Sequence, residues 1–168
     1  MEIRRLTETD SESYRQLRLE ALQREPHAFT ESPAEHAALT LEAIKKRLGP
    51  SDDNFVLGGF MDGRLIATAG FFRRHGEKIC HRGEIWGVYV SDEYRGKGIG
   101  RALLRELIRL IQLLPGIEQV ALGVSTSNAG AKTLYESLGF EVYGCEKRAL
   151  KIGETYIDEE LMVLYFRS

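Results

Sequence analysis

A β-branched run, Val88-Tyr89-Val90, ends in a polar turn and then in Arg95-Gly96-Lys97-Gly98-Ile99-Gly100, which opens straight into the most regular helical pattern of the chain. This passage restricts the fold more than any other. Ile99, Leu103, Leu107, Leu110, Ile111 and Leu114 fall on one helical face, and Pro115-Gly116 stops the helix. Glycines at 96, 98 and 100 remove side chains where backbone must approach a ligand closely or adopt positive φ. The free N–H groups of the first helical turn, at the positive end of the helix dipole, favour an anion. Arg95 and Lys97 add charge beside them. A pyrophosphate is the natural guest. The alternative is a tight strand-to-helix turn with solvated basic side chains. Two other phosphate motifs are excluded, because no Gly-Lys-Ser/Thr follows and the Gly-x-Gly-x-x-Gly spacing is absent.

The remaining segments build a mixed α/β layout around this turn. Glu2 to Leu6 reads as a strand, Ser11 to Arg24 as an amphipathic helix, Pro26 to Pro33 as a loop, and Leu41 to Leu48 as a second helix capped by Thr40. Phe55 to Met61 and Leu65 to Phe72 form a hairpin across Asp62-Gly63. Ile79 to Val90 contains a long strand. Val120 to Thr126, Phe140 to Arg148 and Thr155 to Tyr165 are further strands, with Ala129 to Leu138 a helix between the first two. The order is β-α-α-β-β-β-α-β-α-β-β. Ile85 to Thr126 would cross over between parallel strands, and the hairpins make the rest of the sheet antiparallel. No repeat or linker interrupts residues 1 to 168, so a single domain is expected.

Charge and cysteine usage narrow the partners. With 23 basic against 25 acidic residues, no basic face for nucleic acid is expected. No apolar run suits a signal peptide or a membrane span, which makes cytoplasm the expected location. Cys80 and Cys145 lie far apart outside any CxxC or Cys/His cluster, so free thiols and no metal site are expected.

Two segments resemble the GNAT superfamily of N-acetyltransferases. Arg95-Gly96-Lys97-Gly98-Ile99-Gly100 is similar to that family's Arg/Gln-x-x-Gly-x-Gly/Ala turn, and Ser127 to Phe140, with Asn128, Ala131, Leu134, Tyr135, Leu138 and Gly139, is similar to its second helix. The resemblance spans nearly the whole chain. It implies a twisted, mostly antiparallel sheet with a central parallel pair and flanking helices, and acetyl-CoA as co-substrate for transfer to a primary amine in a ternary complex. Val88, Tyr89 and Val90 would face the pantetheine arm, and the amides from Arg95 to Gly100 the pyrophosphate. Asn128, Ala131 and Tyr135 would lie along the cofactor. The cleft would open where the strand ending at Val90 splays from Val120 to Thr126. Gly87 would mark a bulge that aims a backbone N–H at the thioester carbonyl. The resemblance leaves the oligomeric state open and is compatible with a homodimer that exchanges late strands.

Thioester aminolysis needs a neutral amine, an oxyanion site and a proton for the departing thiolate. The resemblance makes Tyr135 the acid, although an aromatic on an amphipathic helix is otherwise a core residue. Asn128 either bonds the pantetheine arm or caps the helix. Glu84 is the candidate base; by a period of two it would share a strand face with Val90, and it could equally be solvated or paired with Arg82. Trp86 either packs or lines the acceptor cleft. The acidic run Asp158, Glu159, Glu160 could attract a cationic acceptor or form a solvated edge. Acceptor choice would rest on Pro26 to Thr40 and Arg148 to Tyr156. Rival activities are transfer from another acyl-CoA, transfer to a protein N-terminus or lysine, and a non-catalytic acyl-CoA sensor.

Overall fold

The computed structural model describes residues 1–167. One seven-stranded sheet runs through it in the order β1-β2-β3-β4-β5-β7-β6. The strands are β1 (Glu2–Arg5), β2 (Asn54–Met61), β3 (Arg64–Arg73), β4 (Arg82–Val90), β5 (Gln119–Ser125), β6 (Glu141–Ile152) and β7 (Thr155–Tyr165). The helices are α1 (Ser11–Arg24), α2 (Pro33–Ala37), α3 (Leu41–Arg47), α4 (Ile99–Gln112) and α5 (Ala129–Ser137). Every neighbouring pair is antiparallel except β4 and β5, the expected parallel pair.

Two cores hold the layers together. On one face, Leu103, Leu104, Leu107 and Ile111 of α4 pack with Ile66, Ala69, Phe71 and Ile85 of the sheet. On the other, Tyr14, Leu17, Ala21 and Leu22 of α1 pack with Ile44, Val56, Leu65 and Tyr89. The β2–β3 turn carries positive φ at both Asp62 (49°) and Gly63 (79°), the type I′ geometry whose twist matches the strands.

The strand expected within Ile79 to Val90 runs from Arg82 to Val90; before it Gly76, at φ 134°, accepts from the Ile79 and Cys80 amides and folds that stretch into a turn. One element differs from expectation. Helix α2 lies at the end of the expected loop. It has a capping box, with the Ser32 amide donating to Glu35 (3.0 Å) and the Glu35 amide donating to the Ser32 hydroxyl (3.1 Å), and Pro33 at its first position. Five residues are too few to show an apolar stripe. Cys80 and Cys145 are free and exposed. Among the described residues no helix is long and apolar enough to cross a membrane, and no group of three His, Cys, Asp or Glu could hold a metal.

Candidate active site

The sheet forks at its parallel pair. β4 and β5 are paired only from Arg82–Gln119 to Glu84–Ala121, whereas β5 stays paired with β7 through Ser125. Beyond Glu84 the two strands part and a cleft of about 1210 Å³ opens between them. The Ser91 amide donates to Ile66 on β3 at 2.9 Å, so by strand alternation Val90 and Val88 turn their backbone polar groups into the gap.

The gap leads to the glycine turn. Gly98 is the N-cap of α4 at φ 78°, Gly96 lies at φ 74°, and nothing stands within 4 Å of a Cβ placed on either. Among the described residues the amides of Gly96, Lys97, Gly98, Ile99, Gly100 and Arg101 have no hydrogen-bond acceptor. Unpaired donors converging at a helix N-terminus, with open space before them, fit a pyrophosphate. Arg95 is held by Glu25 (2.5 Å) and Asp92 (3.3 Å), and its Nε donates to the Val90 carbonyl at 3.0 Å. The Ile99 side chain is buried in the core, leaving only its amide to the turn, and the Lys97 ammonium lies over the Tyr94 ring at 5.4 Å.

A bulge at Gly87 decides what faces what. Thr68 opposes Tyr89 and Gly70 opposes Trp86, so Ala69 alone spans Gly87 and Val88, and Gly87 takes φ 63°. The Thr68 hydroxyl donates to the Gly87 carbonyl at 3.3 Å. The extra residue reverses the alternation. Ile85, Val88 and Val90 point to the α4 face, whereas Trp86 and Tyr89 point to the α1 face. Glu84, opposite Phe72, therefore shares its face with Trp86 and not with Val90, which corrects the simple period-two expectation. Its carboxylate is paired with Arg74, not Arg82. The Tyr89 side chain is likewise directed away from the glycine turn. Its phenol donates to Glu20 of α1 at 2.9 Å, and burial together with that carboxylate raises its pKa well above the ordinary tyrosine range.

Tyr135 lines the cleft from α5, as do Asn128 and Ala131. Asn128 caps the helix by accepting from the Ala131 amide at 3.1 Å. Tyr135 is 7% exposed, and burial first, then the Glu25 carboxylate, push its phenol far above its usual range and keep it protonated. Trp86 both packs and lines the cleft: its indole lies over Gly70, where a Cβ would collide with the ring.

The expected acidic run is divided by strand alternation. Asp158 pairs with Lys147, Glu160 with Lys132, and Glu159 faces the cleft opposite Glu146. The hairpin from 148 to 156 contributes no lining residue; Tyr143, Glu146, Glu159 and Leu161 do. Arg18 went unnoticed in the sequence. It lines the cleft from α1 and is 9% exposed, in the same stripe as Tyr14, Leu17, Ala21 and Leu22. The available signal was a charged residue among the apolar positions of an amphipathic helix.

Comparison with known proteins gives one family. The profile of the acetyltransferase (GNAT) family matches residues 11–140. An N-alpha-acetyltransferase RimI of Mycobacterium tuberculosis is 35% identical over 102 residues, covering 61% of each chain. The matched stretch spans between 39% and 61% of the first three curated relatives. Among solved structures, an acetyltransferase of Streptococcus pneumoniae superposes with a TM-score of 0.88 at 24% identity, over 99% of both chains. The Salmonella typhimurium protein yncA, solved with its cofactor acetyl-CoA, superposes at 0.79 with 23% identity, over 100% of this chain and 95% of its own. These two likenesses concern the fold alone. With the family profile covering most of its length, the chain belongs to the GNAT family of acetyltransferases.

Proposed function

We propose that the protein transfers an acetyl group from acetyl-CoA to a primary amine by direct attack within a ternary complex. The observation that carries this reading is the continuity of the fork with the glycine turn: the edge of β4 that β5 leaves unpaired at Val88 and Val90 leads to six unpaired amides at the start of α4. The pantetheine arm would add to the β4 edge like a strand, and its pyrophosphate would take the amides from Gly96 to Arg101. The solved complex of yncA with acetyl-CoA supports that choice of donor.

In this reading the amine nitrogen attacks the thioester carbon from the α1 face of the sheet. Glu84, at the last paired rung before the fork, takes the proton from the ammonium directly or through a water. A backbone N–H freed by the Gly87 bulge stabilises the oxyanion. The C–S bond then breaks and Tyr135, held protonated by burial, supplies its hydrogen to the departing sulfur. No protein nucleophile is needed, in keeping with Cys80 and Cys145 being absent from the cleft lining.

Calorimetric titration with acetyl-CoA and with desulfo-CoA tests the binding half. Release of the CoA thiol in the presence of polyamines, amino acids and peptides tests the transfer half. Binding of both nucleotides with amine-dependent thiol release is the expected result. Failure to bind either nucleotide would overturn the reading, and binding without thiol release from any amine would leave an acyl-CoA sensor.

A further inference from the structure

On the α1 face of the fork, two guanidinium groups share one carboxylate. Arg18 donates through Nε to Glu31 at 3.2 Å, and Arg47 approaches the other oxygen of Glu31 at 3.5 Å. The nearby cations are otherwise balanced, Arg74 by Glu84 and Arg95 by Glu25 and Asp92. A buried, uncompensated positive charge is costly, and an anion that completes the pairing recovers that cost.

Arg18 is the group placed to receive that anion. Its guanidinium lies between Phe29 (4.8 Å) and Trp86 (5.6 Å), which fix the plane, while Glu31 fixes Nε. Its two terminal nitrogens make no hydrogen bond among the described residues, and its side chain lines the cleft. Nη1 stands 3.3 Å from where a Cβ on Gly87 would be. An anion held there lies beside the bulge residue at which the thioester is expected.

The opposite charge lies on the same face of the sheet. Exposed Gly123 of β5 lies on that face with the Glu159 carboxylate over it, 3.3 Å from its Cβ position, and Glu146 is directly across from Glu159. Neither glutamate contacts a cation among the described residues. The cleft therefore presents a fixed guanidinium from α1 and a negative wall from β6 and β7.

We propose that Arg18 binds the carboxylate of the acceptor, and that the acceptor is a free α-amino acid, whose carboxylate is on the carbon bearing the reacting amine. This rests on the acetyl-transfer reading of the same cleft. A planar fork beside the reaction centre suits a carboxylate. The glutamate wall suits the ammonium before it is deprotonated.

The test compares apolar L-amino acids with their amides and their decarboxylated amines in thiol-release assays, with kcat/KM corrected for the free-base fraction at each pH. The wild-type enzyme should prefer the acids by about 10- to 100-fold, as expected for a charged hydrogen bond at a buried site. Arg18→Gln should remove this preference through KM of the acid, with the KM for acetyl-CoA unchanged, and Arg18→Lys should restore part of it. Equal or better use of the amides by the wild type overturns the assignment without requiring any variant to fold, as does a preference that survives Arg18→Gln. Thiol release with polyamines but not amino acids overturns the role of Arg18 and leaves acetyl transfer standing. No release with any amine overturns both.

Discussion

The Phe140 amide donates to the Tyr135 carbonyl at 3.1 Å, and their rings meet edge to face with centroids 5.9 Å apart. The Gly139 amide donates to Glu136 at 3.0 Å, with Gly139 at φ 100°. This is a Schellman closure with its apolar contact, and it sets the orientation of the last turn of α5. The side chain assigned the proton-donor role is thus fixed by the residue that ends its own helix.

Gly139→Ala tests that coupling. A left-handed conformation costs a non-glycine residue about 1–2 kcal/mol, and the new methyl would meet Leu164 Cδ1 at 3.1 Å. Urea unfolding should show a stability loss of that order. Acetyl turnover should also fall at temperatures where the variant is fully folded, since Tyr135 loses its anchor; unchanged turnover would mean that the closure does not position the phenol.

Tyr135→Phe removes the hydroxyl and keeps the packing against Phe140. General acid–base groups contribute about 10²- to 10⁴-fold, so kcat should fall within that range while acetyl-CoA affinity by calorimetry stays near wild type. An unaltered kcat would assign the leaving-group proton to water.

Gly98→Ala places a methyl at φ 78° in otherwise open space. The fold should survive a penalty of about 1–2 kcal/mol. The methyl intrudes on the unpaired amides, and acetyl-CoA should bind at least about 10-fold more weakly, a change of about 1.4 kcal/mol. Wild-type affinity in a folded Gly98→Ala protein would remove the pyrophosphate from this turn.

The periodicities that specify α4, the β2–β3 hairpin and the glycine turn are local, and the structure follows them. The reversal at Gly87 is not local: it depends on which residue of β3 opposes which residue of β4, and one unmatched residue puts Val90 on the face opposite to Glu84 and Trp86. The same dependence on register gives Glu84 to Arg74 and separates Glu159 from Asp158 and Glu160. Arg18 could have been noticed, because it interrupts an apolar stripe, but its partners Glu31, Phe29 and Trp86 come from distant segments.

The pairing of Glu84 with Arg74 makes the base role separable from the structural one. Glu84→Gln should lower kcat/KM by about 10²-fold or more. Arg74→Gln releases the carboxylate without removing it, so turnover should persist in that variant. If Glu84→Gln keeps the wild-type rate, the ion pair is structural and another group, or solvent, deprotonates the amine.

Alkaline stability follows from the two buried phenols. Tyr135 and Tyr89 are both held well above the ordinary tyrosine value near 10, Tyr135 by burial and then Glu25, Tyr89 by burial and then its bond to Glu20. Below about pH 10 the folded and unfolded chains both keep these protons. Above it the unfolded chain releases them and the folded chain does not, so stability declines as pH rises, by up to about 1.4 kcal/mol per pH unit for each phenol. Lys132, whose pKa is raised by Glu160, acts in the same direction, so the slope of the wild type alone does not isolate the tyrosines. The readout is the slope: between pH 8 and about 11.5 the melting temperature of the wild type should fall more steeply than that of Tyr135→Phe, because the variant has no phenol to ionise on unfolding. Parallel curves would mean that the Tyr135 phenol ionises as readily in the cleft as in water. Such a phenol would still carry its proton for the sulfur near neutral pH, and the acid role would then owe nothing to burial.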